Sequence, residues 1–299
     1  MTADAGDAEQ VAAADGGYET ATAAVPAVDR RDGPRQALVV AETEYRLAVR
    51  GRWAVALVGL FAAFALGLTT FSGASVSPDG FERTVASLAV LAVYLVPLAA
   101  LAFGYDAVVG REERGWLQAL FALPMSRAGI VVGTFLGRGI VVAGATILGF
   151  GIAGAFLLAE FGLAGFDAYV GFLLAAVGLG LSFLAIAVLL STIAREKTHA
   201  LGLALLAWAW FVLVHDLLAL GLIAAFALPD AVLSAFVLAN PAAVFRTLVL
   251  GVLGAGGDAG FAAALAQAGL SSGVLVAALV VWIVVPTALA AVCIRRRRL

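Results

Sequence analysis

Six long apolar runs dominate the chain, at residues 53–71, 85–109, 129–158, 168–193, 200–228 and 272–294. A bilayer's hydrocarbon core, about 30 Å thick, takes about 20 apolar residues to cross as a helix, and only helices or closed barrels can satisfy their backbone there. Each run is about long enough to cross once. Hydrophobic residues make up 63% of the chain and charged residues 13%, against about 25% charged in an ordinary water-soluble domain. The expected fold is an all-α integral membrane protein with six transmembrane helices.

What precedes the first run is polar. Asp4, Asp7, Glu9, Asp15 and Glu19 stand among Ala, Gly, Thr and Pro with no Lys or Arg before Arg30, so residues 1–35 are expected to be a disordered acidic tail. A cleaved signal would need a basic start followed directly by an apolar core, and this start has neither. The stretch QALVVAETEYRLAVRGR, residues 36–52, reads as an amphipathic helix along the membrane surface.

Orientation follows from the basic residues, which concentrate on the cytoplasmic side of membrane proteins. With the N-terminus in the cytoplasm, all of the 18 Lys and Arg fall on cytoplasmic segments except Arg83, Arg138 and Arg246. Both termini are therefore expected in the cytoplasm, with 229–272 as an outer segment. The preference for Arg over Lys and the acidic tail suit a GC-rich, salt-adapted prokaryote, which makes the plasma membrane the expected location.

Several chemistries are excluded early. Cys293, His199, His215, Met1 and Met125 are the whole supply of soft or imidazole ligands, too scattered for a zinc site or a copper relay. Glycines such as Gly171, Gly178 and Gly180 sit inside apolar runs, where they serve close helix packing. No phosphate-binding G-x-x-x-x-G-K-[ST] loop occurs. The chain is expected to bind no cofactor and no nucleic acid and to be no enzyme; if ATP drives it, ATP and Mg sit on another polypeptide.

Charged groups inside the runs are few, and such groups are costly unless paired or solvated. His215 and Asp216 fall in the fifth run, open to a proton-relay or substrate-path role or to an interhelical hydrogen bond. Asp106 closes the second run and Arg138 lies in the third, where they can pair across the hairpin or serve a substrate. Asn240 is a good N-cap and Pro241 suits the first helical position, so a helix is expected from there to about Gly254. Arg246, in that helix, is either a snorkelling arginine or an anion or partner contact.

The hairpin between the second and third runs carries GREERGWLQALFALPMSRAG, residues 110–129. On a helix over 111–123, Arg111, Arg114 and Gln118 share one side, and Trp116, Leu117, Leu120 and Phe121 another. Gly110 would mark the bend out of the second span, and Pro124 would stop the helix. Amphipathicity alone is equally consistent with a surface anchor.

The longer run DAVVGREERGWLQALFALPMSRAGIVVGTFLGR resembles the cytoplasmic elbow of ABC-2 type transporter permeases: an Asp, a G-E-x-x-x-G segment, a Leu-rich helix, a Pro-x-[ST]-Arg end and a later pair of glycines. The matching residues are Asp106, Gly110, Glu113, Arg114, Gly115, Leu117, Leu120, Pro124, Ser126, Arg127, Gly133 and Gly137. The resemblance implies that 110–127 is a coupling helix docking on a separate cytoplasmic ATPase, with Gly110, Glu113, Arg114, Gly115, Leu117, Leu120, Pro124 and Arg127 at the contact. It also implies a permease homodimer. Arg111 stands where the family commonly has Glu, and Thr134 where it commonly has Lys.

Towards the C-terminus, WFVLVHDLLALG and LANPAAVFRTLVLGVL are similar to the ABC-2 permease subfamily of the nitrous-oxide reductase maturation system, in an N-P-x-x-x-[FY]-R segment carried by Asn240, Pro241, Phe245 and Arg246. That similarity implies a role in copper-centre assembly and an extracytoplasmic maturation protein at the outer segment. The scarcity of Cys, Met and His favours a sulfur species or mechanical work as cargo over copper itself. Two alternatives stand beside it: a general exporter of lipid, drug or peptide, and a proton-coupled carrier using His215 and Asp216.

Overall fold

The computed structural model describes residues 33–71, 80–113, 126–163, 165–226, 229–253 and 269–296, and among them every regular element is helical. The acidic tail up to residue 32, and residues 114–125 of the elbow, lie outside the described residues. From Arg31 onward the chain forms one unit. Among the described residues six helical stretches are long and apolar enough to cross a membrane, and a bent pair, Asp230–Leu238 with Pro241–Leu253, is so only if taken together.

Helix α1 (Gly33–Arg50) starts before the expected 36 and is amphipathic. It packs along α5 (Arg127–Phe161), so its buried face is taken by protein. The helix ends at Gly51, and Arg52 adopts φ 62°, a left-handed turn that redirects the chain into α2 (Trp53–Phe71), the first span.

The second span is α3 (Gly80–Gly104), which continues through a loosened turn at 105–108 into the short α4 (Val109–Glu113). Gly110 was expected to mark the bend, but it lies inside α4 with its N–H on the Asp106 carbonyl at 3.1 Å. The departure comes earlier because Ser191 Oγ accepts the N–H groups of Val108 (3.0 Å) and Val109 (3.2 Å). That side-chain oxygen replaces helix-internal carbonyls, which lets the turn loosen without orphaning buried donors.

α5 begins at a Ser126 N-cap, whose Oγ accepts from the Gly129 N–H at 3.1 Å. It is 35 residues long, or about 52 Å at 1.5 Å per residue, more than a bilayer core requires. Gly162, at φ 71°, ends it, and Gly165, at φ 79°, opens α6 (Phe166–Ile193). These are positions where a residue with a Cβ would be strained.

α6 is the bundle's centre. Its most apolar window is 61% buried, against 22% for the first, fifth and sixth spans, and it packs on α3, α5, α10 (Pro241–Leu253) and α11 (Ser272–Arg296). A helix apolar on all sides belongs in such a position. Rings tie the layers: Phe61 of α2, Phe150 of α5 and Phe172 of α6 follow at 5.6 Å steps, and Phe245 of α10 lies 6.3 Å from Phe172.

The fifth span is broken in hydrogen bonding though not in path. α7 (Lys197–Ala209) passes through a π-helical turn at Trp210–Val214 into α8 (His215–Ala225). The segment expected outside contains α9 (Asp230–Leu238) as well as α10. The two meet at 112°, and residues 254–268 lie outside the described residues.

Candidate functional site: two polar clusters at the ends of the bundle

The first cluster surrounds the elbow's two described ends. The face of α1 turned to α5 holds Ala37, Val40, Ala41, Glu44 and Ala48, all buried. It meets Gly133 and Gly137, where a methyl group at Gly133 would stand 2.5 Å from the Ala37 carbonyl oxygen and one at Gly137 would overlap Ala41 and Glu44. This close approach buries the Glu44 carboxylate, which must then be paired. Arg138 Nε donates to Glu44 Oε2 at 3.1 Å, and Arg111 pairs with Oε1.

Arg138 reaches across to the end of α3 as well. Its Nη1 donates to Asp106 Oδ1 at 3.0 Å and to the Phe103 carbonyl, while its guanidinium carbon lies 5.2 Å from the Phe103 ring centre. Asp106 Oδ2 faces Lys197 Nζ at 3.8 Å. Glu113 Oε1 accepts the Lys197 backbone N–H at 2.7 Å, so a carboxylate from α4 caps the start of α7, where the helix's free N–H groups favour negative charge. Glu44, Asp106 and Glu113 balance Arg111, Arg138 and Lys197.

At the other end of the elbow, Ser126 N–H donates to Gln36 Oε1 at 3.2 Å. α1 therefore touches the elbow where it begins, through Glu44 and Arg111, and where it ends, through Gln36 and Ser126. The two departures from the ABC-2 pattern also touch, with Arg111 Nη1 donating to Thr134 Oγ1 at 3.1 Å. Gly110 and Glu113 lie in α4 and Arg127 opens α5. Arg114, Gly115, Leu117, Leu120 and Pro124 lie outside the described residues.

The second cluster sits about 27 Å along the fifth span from Lys197, at 1.5 Å per residue. Asp216 Oδ2 pairs with Arg246 Nη1 of α10. His215 lies against Phe236 of α9, ring centres 4.3 Å apart, with its Nδ1 4.0 Å from Asp216 Oδ1. Both His215 nitrogens and Asp216 Oδ1 are buried without a hydrogen-bond partner among the described residues. The π turn has a structural counterpart here: Asn240 Nδ2 donates to the Phe211 carbonyl at 2.7 Å, while Asn240 Oδ1 accepts from the Ala242 N–H at 2.8 Å. One side chain thus caps α10, with Pro241 as its first residue, and takes up a carbonyl in the irregular turn.

Glu44, Gln36, Lys197 and Ser191 were not singled out in the sequence. Glu44 carried a readable signal, an acid on the Ala37, Ala41, Ala48 stripe of a helix, where a charge implies a buried partner.

Residues 38–299 match the family described as ABC-2 family transporter protein. Two curated proteins are similar over most of their length, each described as "Probable ABC transporter permease protein NosY". The one from Stutzerimonas stutzeri is 38% identical over 269 residues, covering 86% of this chain and 97% of that protein. The one from Pseudomonas aeruginosa is 37% identical over 270 residues, with the same coverage.

Proposed function

Because the chain belongs to the ABC-2 family of transporter proteins and is a NosY-like permease subunit, we propose that it works as a homodimer with two copies of a cytoplasmic ATPase. In this reading, closure of the ATPases on ATP presses on the 110–127 elbow. Because α1 and the Glu44–Arg111–Arg138–Asp106–Lys197 network join the elbow's ends to α3, α5 and α7, the push moves these helices together as near-rigid bodies. ATP and Mg are held by the partner, and both termini of this chain face the cytoplasm.

The task served is assembly of the copper centre of a nitrous-oxide reductase, by moving a sulfur species or by mechanical work on an extracytoplasmic maturation protein at the outer segment. The observation that carries this narrower reading is the similarity to NosY across 97% of that protein's length. The scarcity of Cys, Met and His supports a cargo other than copper, since soft-metal passage draws on those ligands. The test is deletion of the gene in its host, followed by the absorption spectrum of the purified reductase. Loss of the copper centre's bands, restored by the gene in trans, is expected; an unchanged spectrum would leave a general exporter in place of the maturation role.

A further inference from the structure

The cluster of His215, Asp216 and Arg246 is not used by the coupling just described. Asp216 of α8 has one carboxylate oxygen on Arg246 of α10 and the other buried without a hydrogen-bond partner among the described residues. Next to that second oxygen, at 4.0 Å, is His215 Nδ1, on a side chain 7% exposed. Around His215, α8 contributes Asp216, α10 contributes Arg246 behind it, and α9 contributes the uncharged Phe236. The pair crosses from the fifth span to the helix hairpin that bends by 112°.

We propose that the Asp216–Arg246 pair is a latch holding the α9–α10 hairpin against the fifth span at the extracytoplasmic end, and that a proton taken up by His215 releases it. A protonated imidazole would offer Asp216 Oδ1 a second cation within about 1 Å of hydrogen-bonding distance. Two cations on one enclosed carboxylate leave a net positive charge in a poorly solvated place, which is unfavourable. Arg246 is the cation that leaves, because it is more exposed, at 18% against 7% for His215, and its long stem can carry the charge outward. The π turn just before His215 lets α8 adjust without breaking a regular helical ladder, since such turns have already given up i→i+4 bonding.

The latch rests on the orientation proposed above, which places α9–α10 outside. Its test uses the full permease with Cys293→Ser and spin labels on Leu220→Cys of α8 and Val252→Cys of α10, both exposed positions. Proteoliposomes are oriented so that the lumen meets the α9–α10 end, and luminal pH is lowered from about 8 to about 5.5. The expected result is a shift of the label distance at low luminal pH that His215→Gln abolishes. Asp216→Asn should show the shifted distance already at pH 8, and exchanged charges, Asp216→Arg with Arg246→Asp, should return it to the unshifted value there. No shift, a shift that survives His215→Gln, or one that follows only the pH outside the vesicle would overturn the latch. The readout needs no ATP, so its failure leaves the permease reading standing, and a permease without coupled ATP hydrolysis would leave the latch result unaffected.

Discussion

Glu44 of α1 and Arg111 of α4 pair across the junction where the elbow leaves the second span, and the same guanidinium donates to Thr134 of α5. A residue that in this family is commonly acidic is here basic, and the commonly basic residue opposite it is here a hydroxyl. Reversing one partner alone would therefore set like charges together. Arg111→Glu is expected to lower the thermal unfolding temperature of the purified permease, and adding Thr134→Lys to recover most of the loss. Equal stability of the single and double variants would show that the contact is not an energetic unit.

Glu44 also holds Arg138, and its side chain is only 6% exposed. Removing one partner of such a buried pair costs about 3–5 kcal/mol, because the remaining charges keep their desolvation penalty. Glu44→Ala should destabilise the protein by that amount in a denaturant titration in detergent, and Glu42→Ala, whose pair with Arg46 is exposed, by about 1 kcal/mol at most.

Gly137 allows α1 to lie directly on α5. A leucine there has to push back the Ala41 backbone and the Glu44 side chain, and overpacking of this kind costs about 1–3 kcal/mol. The expected sign is faster tryptic cleavage after Arg46 and Arg50 in Gly137→Leu. The same change at Gly144, where nothing lies within 4 Å of an added Cβ, should leave the cleavage rate unaltered.

Asn240 serves two backbone groups at once. Asn240→Ala removes a helix cap, worth about 1 kcal/mol, and leaves the partly buried Phe211 carbonyl without this donor, worth about 1 kcal/mol more. Amide hydrogen exchange should quicken in the first turn of α10 and around 210–216 together. Faster exchange in α10 alone would mean that the π turn does not depend on Asn240.

The spans were legible because a bilayer imposes a length and an apolar content that local sequence must meet by itself. α2 covers the residues expected, and α10 starts at Pro241 because an Asn-Pro pair carries its own capping chemistry. Relationships between elements were harder to read. Asp216 and Arg246 stand 30 residues apart on helices whose mutual angle no local pattern encodes, whereas His215 is the sequence neighbour of Asp216. The WFVLV turn looks like any apolar stretch, and the Asn240 side chain that donates to its Phe211 carbonyl lies 29 residues away. Glu44 is legible only as an acid on the Ala37, Ala41, Ala48 stripe, because its partners Arg111 and Arg138 come from other helices.

If this permease is driven through its elbow by an ATPase on another chain, changes in the elbow must alter that ATPase's binding or turnover. The most direct measurement is ATP hydrolysis by the co-purified permease–ATPase complex in nanodiscs, comparing wild type with Glu113→Ala and Leu120→Asp. The ATPase is expected to co-purify with the wild type, Leu120→Asp to abolish binding and Glu113→Ala to lower coupled hydrolysis several-fold. Unaltered complex formation and hydrolysis in both variants would contradict drive through the elbow.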